Sequence, residues 1–109
     1  MVERRRVPRV QLRSVGTIDL GDREIPCQTL ELSLGGLSLL TPEWDLPEGP
    51  VQVRFQLGRR DATWTFVDAR VVRVRVWDMA SSVWALQLYP LEPGPRRHLA
   101  DFVASSVPS

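Results

Sequence analysis

Val67-Asp68-Ala69-Arg70-Val71-Val72-Arg73-Val74-Arg75-Val76 is the stretch on which the reading of this chain turns. Side chains along an extended strand alternate between two faces. Val67, Ala69 and Val71 share one parity, whereas Val72, Val74 and Val76 share the other, so the apolar face changes sides in mid-run. One extra residue near Val71 reconciles both halves, which is the signature of a β-bulge that bends its strand. Bent strands are how small barrels close. The run Ala62–Trp77 is therefore expected as one long, bent strand.

The flanking sequence fits that expectation. Upstream, Val51-Gln52-Val53-Arg54-Phe55-Gln56-Leu57 alternates cleanly and predicts a strand, joined to the long one through Gly58–Asp61. Downstream, Asp78–Ser82 turns the chain into a strand over Val83–Tyr89, with Trp84, Leu86 and Leu88 on one side. Pro95 suits the first position of a helix, in which Leu99, Phe102 and Val103 make a narrow apolar stripe. Nearer the N-terminus, Ser14–Leu20 and Arg23–Leu32 read as strands joined at Gly21-Asp22, with Pro26 marking an edge or a bulge. A turn over Ser33–Gly36 leads to a short strand, Leu37–Thr41, and then to a loop rich in proline and acid. The sum is an all-β fold, a six-stranded antiparallel β-barrel with a C-terminal α-helix, because closure removes exposed edges. Residues 1–13 form an arginine-rich N-terminal arm, and residues 14–109 form the barrel with its helix.

At 109 residues the chain is long enough for one core, and its net charge of +1 gives no global field toward nucleic acid or an anionic membrane. All 14 basic side chains are arginine, the planar residue suited to phosphate and guanine. The single cysteine, Cys27, has no disulfide partner, and His98 has no companions at metal-ligand spacing. No apolar run approaches the roughly 20 residues that span a bilayer, and the charged N-terminus lacks a signal-peptide core. A reducing, cytoplasmic setting fits.

Candidate functional residues fall into two groups. Arg4, Arg5, Arg6, Arg9 and Arg13 crowd the first residues, and Pro8 keeps Val7 out of the helical region, so an extended arm is expected. Val10 and Leu12 are placed to tuck against the core. The second group is Glu31-Leu32-Ser33-Leu34-Gly35-Gly36, where Glu31 and Ser33 leave one face of a strand at its end. Glycine there permits φ > 0 or a close approach of the backbone. Trp84 reads as core, and Trp64 with Phe66 as an exposed aromatic pair fit for a partner or dimer contact. Arg73 and Arg75 read as a solvated strand face, and Cys27 as a small apolar filler. No acid, base and nucleophile come together, so the chain is not read as an enzyme.

Arg5 and Arg9, spaced RxxxR behind Arg4, precede Glu31-x-Ser33-x-x-Gly36, six strands and a helix; in this the chain resembles the PilZ domain. That family carries RxxxR in an N-terminal arm and [Asp/Asn]xSxxG on the barrel, and Ala85-Leu86-Gln87-Leu88 is similar to its late Gly-Val-x-Phe strand. The resemblance implies a receptor for the bacterial messenger cyclic di-GMP, with Arg4, Arg5, Arg9, Glu31, Ser33 and Gly36 as ligand-binding residues and no metal or cofactor. It also implies that Arg4 goes with a stacked pair of ligand molecules, and that an effector protein in motility, pilus or polysaccharide machinery receives the signal. Glu31 stands where the family has aspartate or asparagine. One methylene longer, it can overshoot the guanine edge or swing back onto Arg5 or Arg9. The alternative reading is therefore an adapter of the same fold that has lost the nucleotide. A third, a small barrel for single-stranded nucleic acid, fits the arm and the tryptophans, but the near-neutral charge speaks against it.

Overall fold

A computed structural model describes residues 9–58 and 61–106 of the chain. Seven strands and one helix follow in order: β1 Val10–Gln11, β2 Val15–Asp19, β3 Glu24–Leu32, β4 Gly36–Thr41, β5 Val51–Gly58, β6 Asp61–Val76, β7 Ser82–Leu88 and α1 Pro93–Ser106. Every pairing between them is antiparallel. The strand order β3-β2-β5-β6-β7-β4 closes on itself through the β3–β4 pair, giving a six-stranded barrel, and β1 pairs with the end of β3 that runs past β2. The helix begins two residues before Pro95 and sends Leu99 and Val103 into the barrel core, with Phe102 packed against them.

The interior is made by alternation. Val51, Val53, Phe55 and Leu57 of β5 are all buried, as are Trp84, Leu86 and Leu88 of β7. Trp84 has no exposed surface, and its Nε1 donates to the Glu43 carbonyl and to Ser82 Oγ, so the indole is both core and anchor for the loop after β4. Cys27 is buried as a filler, and loss of solvation pushes its thiol up to about 12 despite a backbone hydrogen bond with Gly16. Pro26 sits inside β3 without cost. It lies opposite Thr17, past the end of the β4 ladder, and its carbonyl accepts from Thr41 Oγ1 on that side. Its missing N–H faces the same way, where no ladder bond is needed.

The long strand is bent where the alternation predicts. The β6–β7 register shifts between Val71 and Arg73, which makes Val72 the inserted residue. Thr65, Val67, Ala69 and Val71 point inward before the shift, and Val74 does after it. Two of the valines expected inside are not: Val72 is 51% and Val76 74% exposed. Val72 is the unpaired bulge residue itself, and Val76 overhangs, because β5 stops pairing at Ala69 and leaves the end of β6 beyond the core. A second bulge, between Thr29 and Glu31 of β3, is not apparent from the sequence pattern. Ile25, Cys27 and Thr29 point inward before it and Leu32 after it, so Glu31 is turned outward. Both bulges thus do one job. Each reverses parity and sends polar odd-numbered residues to the outside of the same wall.

Candidate functional site

Outside that wall lies a cleft of about 490 Å³, within the range of small-molecule sites. Its floor is β4, β7 and the far end of β6, and its sides are β1 and the end of β3. The first side depends on a buried hydroxyl. Thr29 Oγ1 donates to the Leu12 carbonyl at 2.6 Å and accepts from the Ser14 amide at 2.9 Å. These bonds pin the chain between β1 and β2 just where β3 bulges. With Val10 paired to Leu32 and Gln11 to Glu31, Val10 and Leu12 are buried, while Arg9, Gln11 and Arg13 face the cleft.

Of the residues singled out in the sequence, Arg9, Glu31, Ser33 and Gly36 all line this one cleft. Arg4 and Arg5 lie outside the described residues. Arg9 Nη1 is 3.9 Å from Glu31 Oε1, with each side chain 47% exposed, so the longer carboxylate does swing back onto the arm. Ser33 is almost wholly covered and serves its own turn: its amide bonds the Gly36 carbonyl at 2.9 Å, and its hydroxyl accepts from the Gly35 amide at 3.3 Å. Neither Gly35 nor Gly36 has a positive φ. Close approach is the reason at Gly36, where a Cβ would stand 3.3 Å from the Leu86 carbonyl oxygen and 3.6 Å from Ser33 Oγ.

The cleft also holds residues that the sequence does not assign to it. Arg73 and Arg75, read in the sequence as a solvated face, line it together with Arg13 and Trp77. Their parity was visible, since they alternate with the valines beyond the bulge; which wall they face was not. Arg13 repeats the spacing of the arm, four residues beyond Arg9. Among the described residues, four guanidinium groups thus meet one carboxylate in the cleft. No group of three or more metal-ligating side chains occurs among those residues, and none of their helices is long and apolar enough to cross a membrane.

A closed antiparallel barrel with an added N-terminal strand, a C-terminal helix and a basic cleft on one wall defines the class of this protein. The PilZ domain family model matches residues 3–105, and the chain belongs to that family. Among solved structures it is similar to the PilZ domain with c-di-GMP of YcgR from Escherichia coli, at 18% identity and a TM-score of 0.73, covering 95% of this chain and 92% of that one. It is also similar to the inhibitor of motility MotI/DgrA of Bacillus subtilis, at 15% identity and a TM-score of 0.76, covering 95% of this chain and 51% of that one. PlzA of Borreliella burgdorferi in complex with c-di-GMP matches at 13% identity and a TM-score of 0.59, with 87% and 44% covered. At such identities the likeness is one of fold. A search of curated proteins found no match.

Proposed function

We propose that the chain is a cyclic di-GMP receptor that holds its ligand in the arginine cleft and signals to a partner protein through ordering of its arm. The observation that carries this reading is local charge. Among the described residues, Arg9, Arg13, Arg73 and Arg75 meet the single carboxylate of Glu31, on a chain whose net charge is only +1. Such a cluster favours an anion between its members. A cyclic dinucleotide offers two phosphates and two guanines. Guanidinium forks pair with phosphate oxygens and with guanine O6 and N7, and a carboxylate accepts from the opposite guanine edge. Trp77 supplies an exposed aromatic face at the rim for a base.

The arm residues Arg4 and Arg5 join Arg9 in this reading, with Ser33 holding the turn and Gly36 leaving the floor open. Arg4 would accompany a stacked pair of ligands. Ligand must displace Glu31 from Arg9, which at this exposure costs about 0.2–1 kcal/mol, at most about fivefold in affinity. Ordering of the arm is the change a partner would read. YcgR and PlzA were solved with c-di-GMP, and MotI/DgrA is an inhibitor of motility. These support seeking a cytoplasmic effector in motility, pilus or polysaccharide machinery. The role is that of a receptor, not an enzyme. Calorimetric titration with cyclic di-GMP tests it, with cyclic di-AMP as control. A saturable heat for the guanine messenger alone, weakened about tenfold or more in Arg9→Ala, is expected; equal heats for wild type and Arg9→Ala would remove the support.

Two contacts favour a second reading, an adapter without nucleotide. Glu31 lies within ion-pair distance of Arg9, and the Ser33 hydroxyl is taken by its turn. If the natural chain shows no heat and Glu31→Asp restores it, the adapter reading stands.

A further inference from the structure

Across the barrel from β4 and β7, the outer face of β5, β2 and the first halves of β3 and β6 is built in three cross-strand rows. Val15 and Trp64 belong to the first, with Gln28 and Gln56. Pro26, Thr17, Arg54 and Phe66 form the second. Glu24, Asp19, Gln52 and Asp68 form the third. The face is thus aromatic at one end and acidic at the other.

Trp64 is 42% and Phe66 51% exposed, and Val15 beside them is open to solvent. Among the described residues of these rows the one guanidinium, on Arg54, is drawn to Trp64 at 5.1 Å from the ring centroid and donates to Thr17 Oγ1 at 3.3 Å. That leaves the third row without a cation: among the described residues neither Asp19, Glu24 nor Asp68 is in an ion pair. Between the second and third rows is a pit of about 40 Å³ walled by Phe66, Arg54, Thr17, Asp19 and Glu24.

We propose that this face docks a basic amphipathic segment of a partner protein, apolar side chains lying on Trp64 and Phe66 and a lysine or arginine reaching Asp19, Glu24 and Asp68. Charge complementarity selects the occupant. Three carboxylates repel an anionic lipid surface or nucleic acid. A second copy fits poorly, because a two-fold laid on this face brings the acidic row onto itself, onto the Val15–Trp64 row, whose described residues include no cation, or onto the middle row, whose Arg54 guanidinium is already held by Trp64 and Thr17. An alkyl stem over Phe66 ending in an ammonium at Asp19 and Glu24 matches the pit. The proposal does not depend on what the arginine cleft binds.

The test uses the full chain and a fluorescein-labelled lysine–leucine amphipathic peptide, followed by anisotropy and by the tryptophan indole signals in NMR. Saturable binding that shifts the Trp64 indole and leaves that of buried Trp84 in place is expected. Affinity should fall about tenfold or more in Trp64→Ser/Phe66→Ser, and likewise in Asp19→Asn/Glu24→Gln/Asp68→Asn, a set that keeps shape and removes charge. Arg9→Ala should change nothing here, which separates this result from the cleft titration. Equal binding of the same peptide with glutamate for lysine would overturn the proposal. So would a dimer in sedimentation velocity, or retention on anionic vesicles, that Trp64→Ser abolishes.

Discussion

The two walls of this barrel are made of the same kind of strand and present opposite surfaces. The β2–β5 wall keeps an even register up to a shift between Gln56 and Gly58 at its end, and its exposed side runs from aromatic to acidic. The β4–β7 wall is flanked by an added strand and gathers arginines around a cleft. β3 and β6 border both, and each carries a bulge at the crossing. On the β2–β5 side odd-numbered residues such as Thr29 and Val71 face the core; past the bulge Glu31, Arg73 and Arg75 face the cleft. A single inserted residue per strand is therefore enough to turn a barrel wall into a charged site without placing any charge in the interior.

The largest expected effect is on the β2–β5 wall. Gly16 has no room for a side chain: a Cβ would lie 2.4 Å from the Arg54 carbonyl oxygen and 3.2 Å from Phe55 Cβ. Gly16→Ala should cost about 3 kcal/mol, the upper end for overpacking, measured by urea unfolding. A wild-type midpoint would mean that the strands can part more easily than their register implies.

Thr29→Val probes the link between the walls. It should cost about 1–3 kcal/mol, since a buried carbonyl and amide lose their partner. It should also weaken ligand binding in the cleft, because the chain carrying Arg9 and Arg13 is no longer pinned. Loss of stability with intact binding would separate the arm from this hydroxyl.

Arg73→Gln with Arg75→Gln should leave stability unchanged and lower cyclic di-GMP affinity roughly 10- to 100-fold, the value of one or more charge-assisted contacts. Peptide docking on the aromatic face should not change. Parallel loss at both surfaces would show that the walls are coupled.

The smallest effect is one of pH. Partial burial pushes the Glu43 carboxyl up, but amide hydrogen bonds from Asp45 and Trp44 and the Arg23 guanidinium outweigh it, and the net pKa is lowered. A carboxyl lowered on folding binds fewer protons than in the unfolded chain. Its contribution is full above the ordinary glutamate range and is lost as pH falls through the folded value. Acid unfolding of Glu43→Gln should accordingly show a shallower slope below about pH 4.3, with both walls melting together because the loop is tied to Trp84 on β7.

Much of the fold was readable because alternation is a local property. The phase change at Val71–Val72 located one bulge, the clean run Val51–Leu57 placed its strand, and the stripe of Leu99, Phe102 and Val103 placed the helix. The bulge at Leu30 was hidden, since polar Thr29 takes an inward position and apolar Leu30 follows it, so composition does not mark the change of phase. β1 was hidden for another reason: two residues have no periodicity, and their strand exists only because β3 extends past β2 to receive them.

The candidate site divides in the same way. By its own order, the chain determined an arginine arm, an acid–serine–glycine turn and a strand bearing alternate arginines, each a matter of neighbours along the backbone. Only closure of the barrel decided that Arg9 meets Glu31, that Arg73 and Arg75 belong to the same cleft, and that Trp64 faces the other way. Those relations depend on strand register and on the direction in which a sheet closes, and pairing between residues about 20 to 50 positions apart leaves no mark in local sequence.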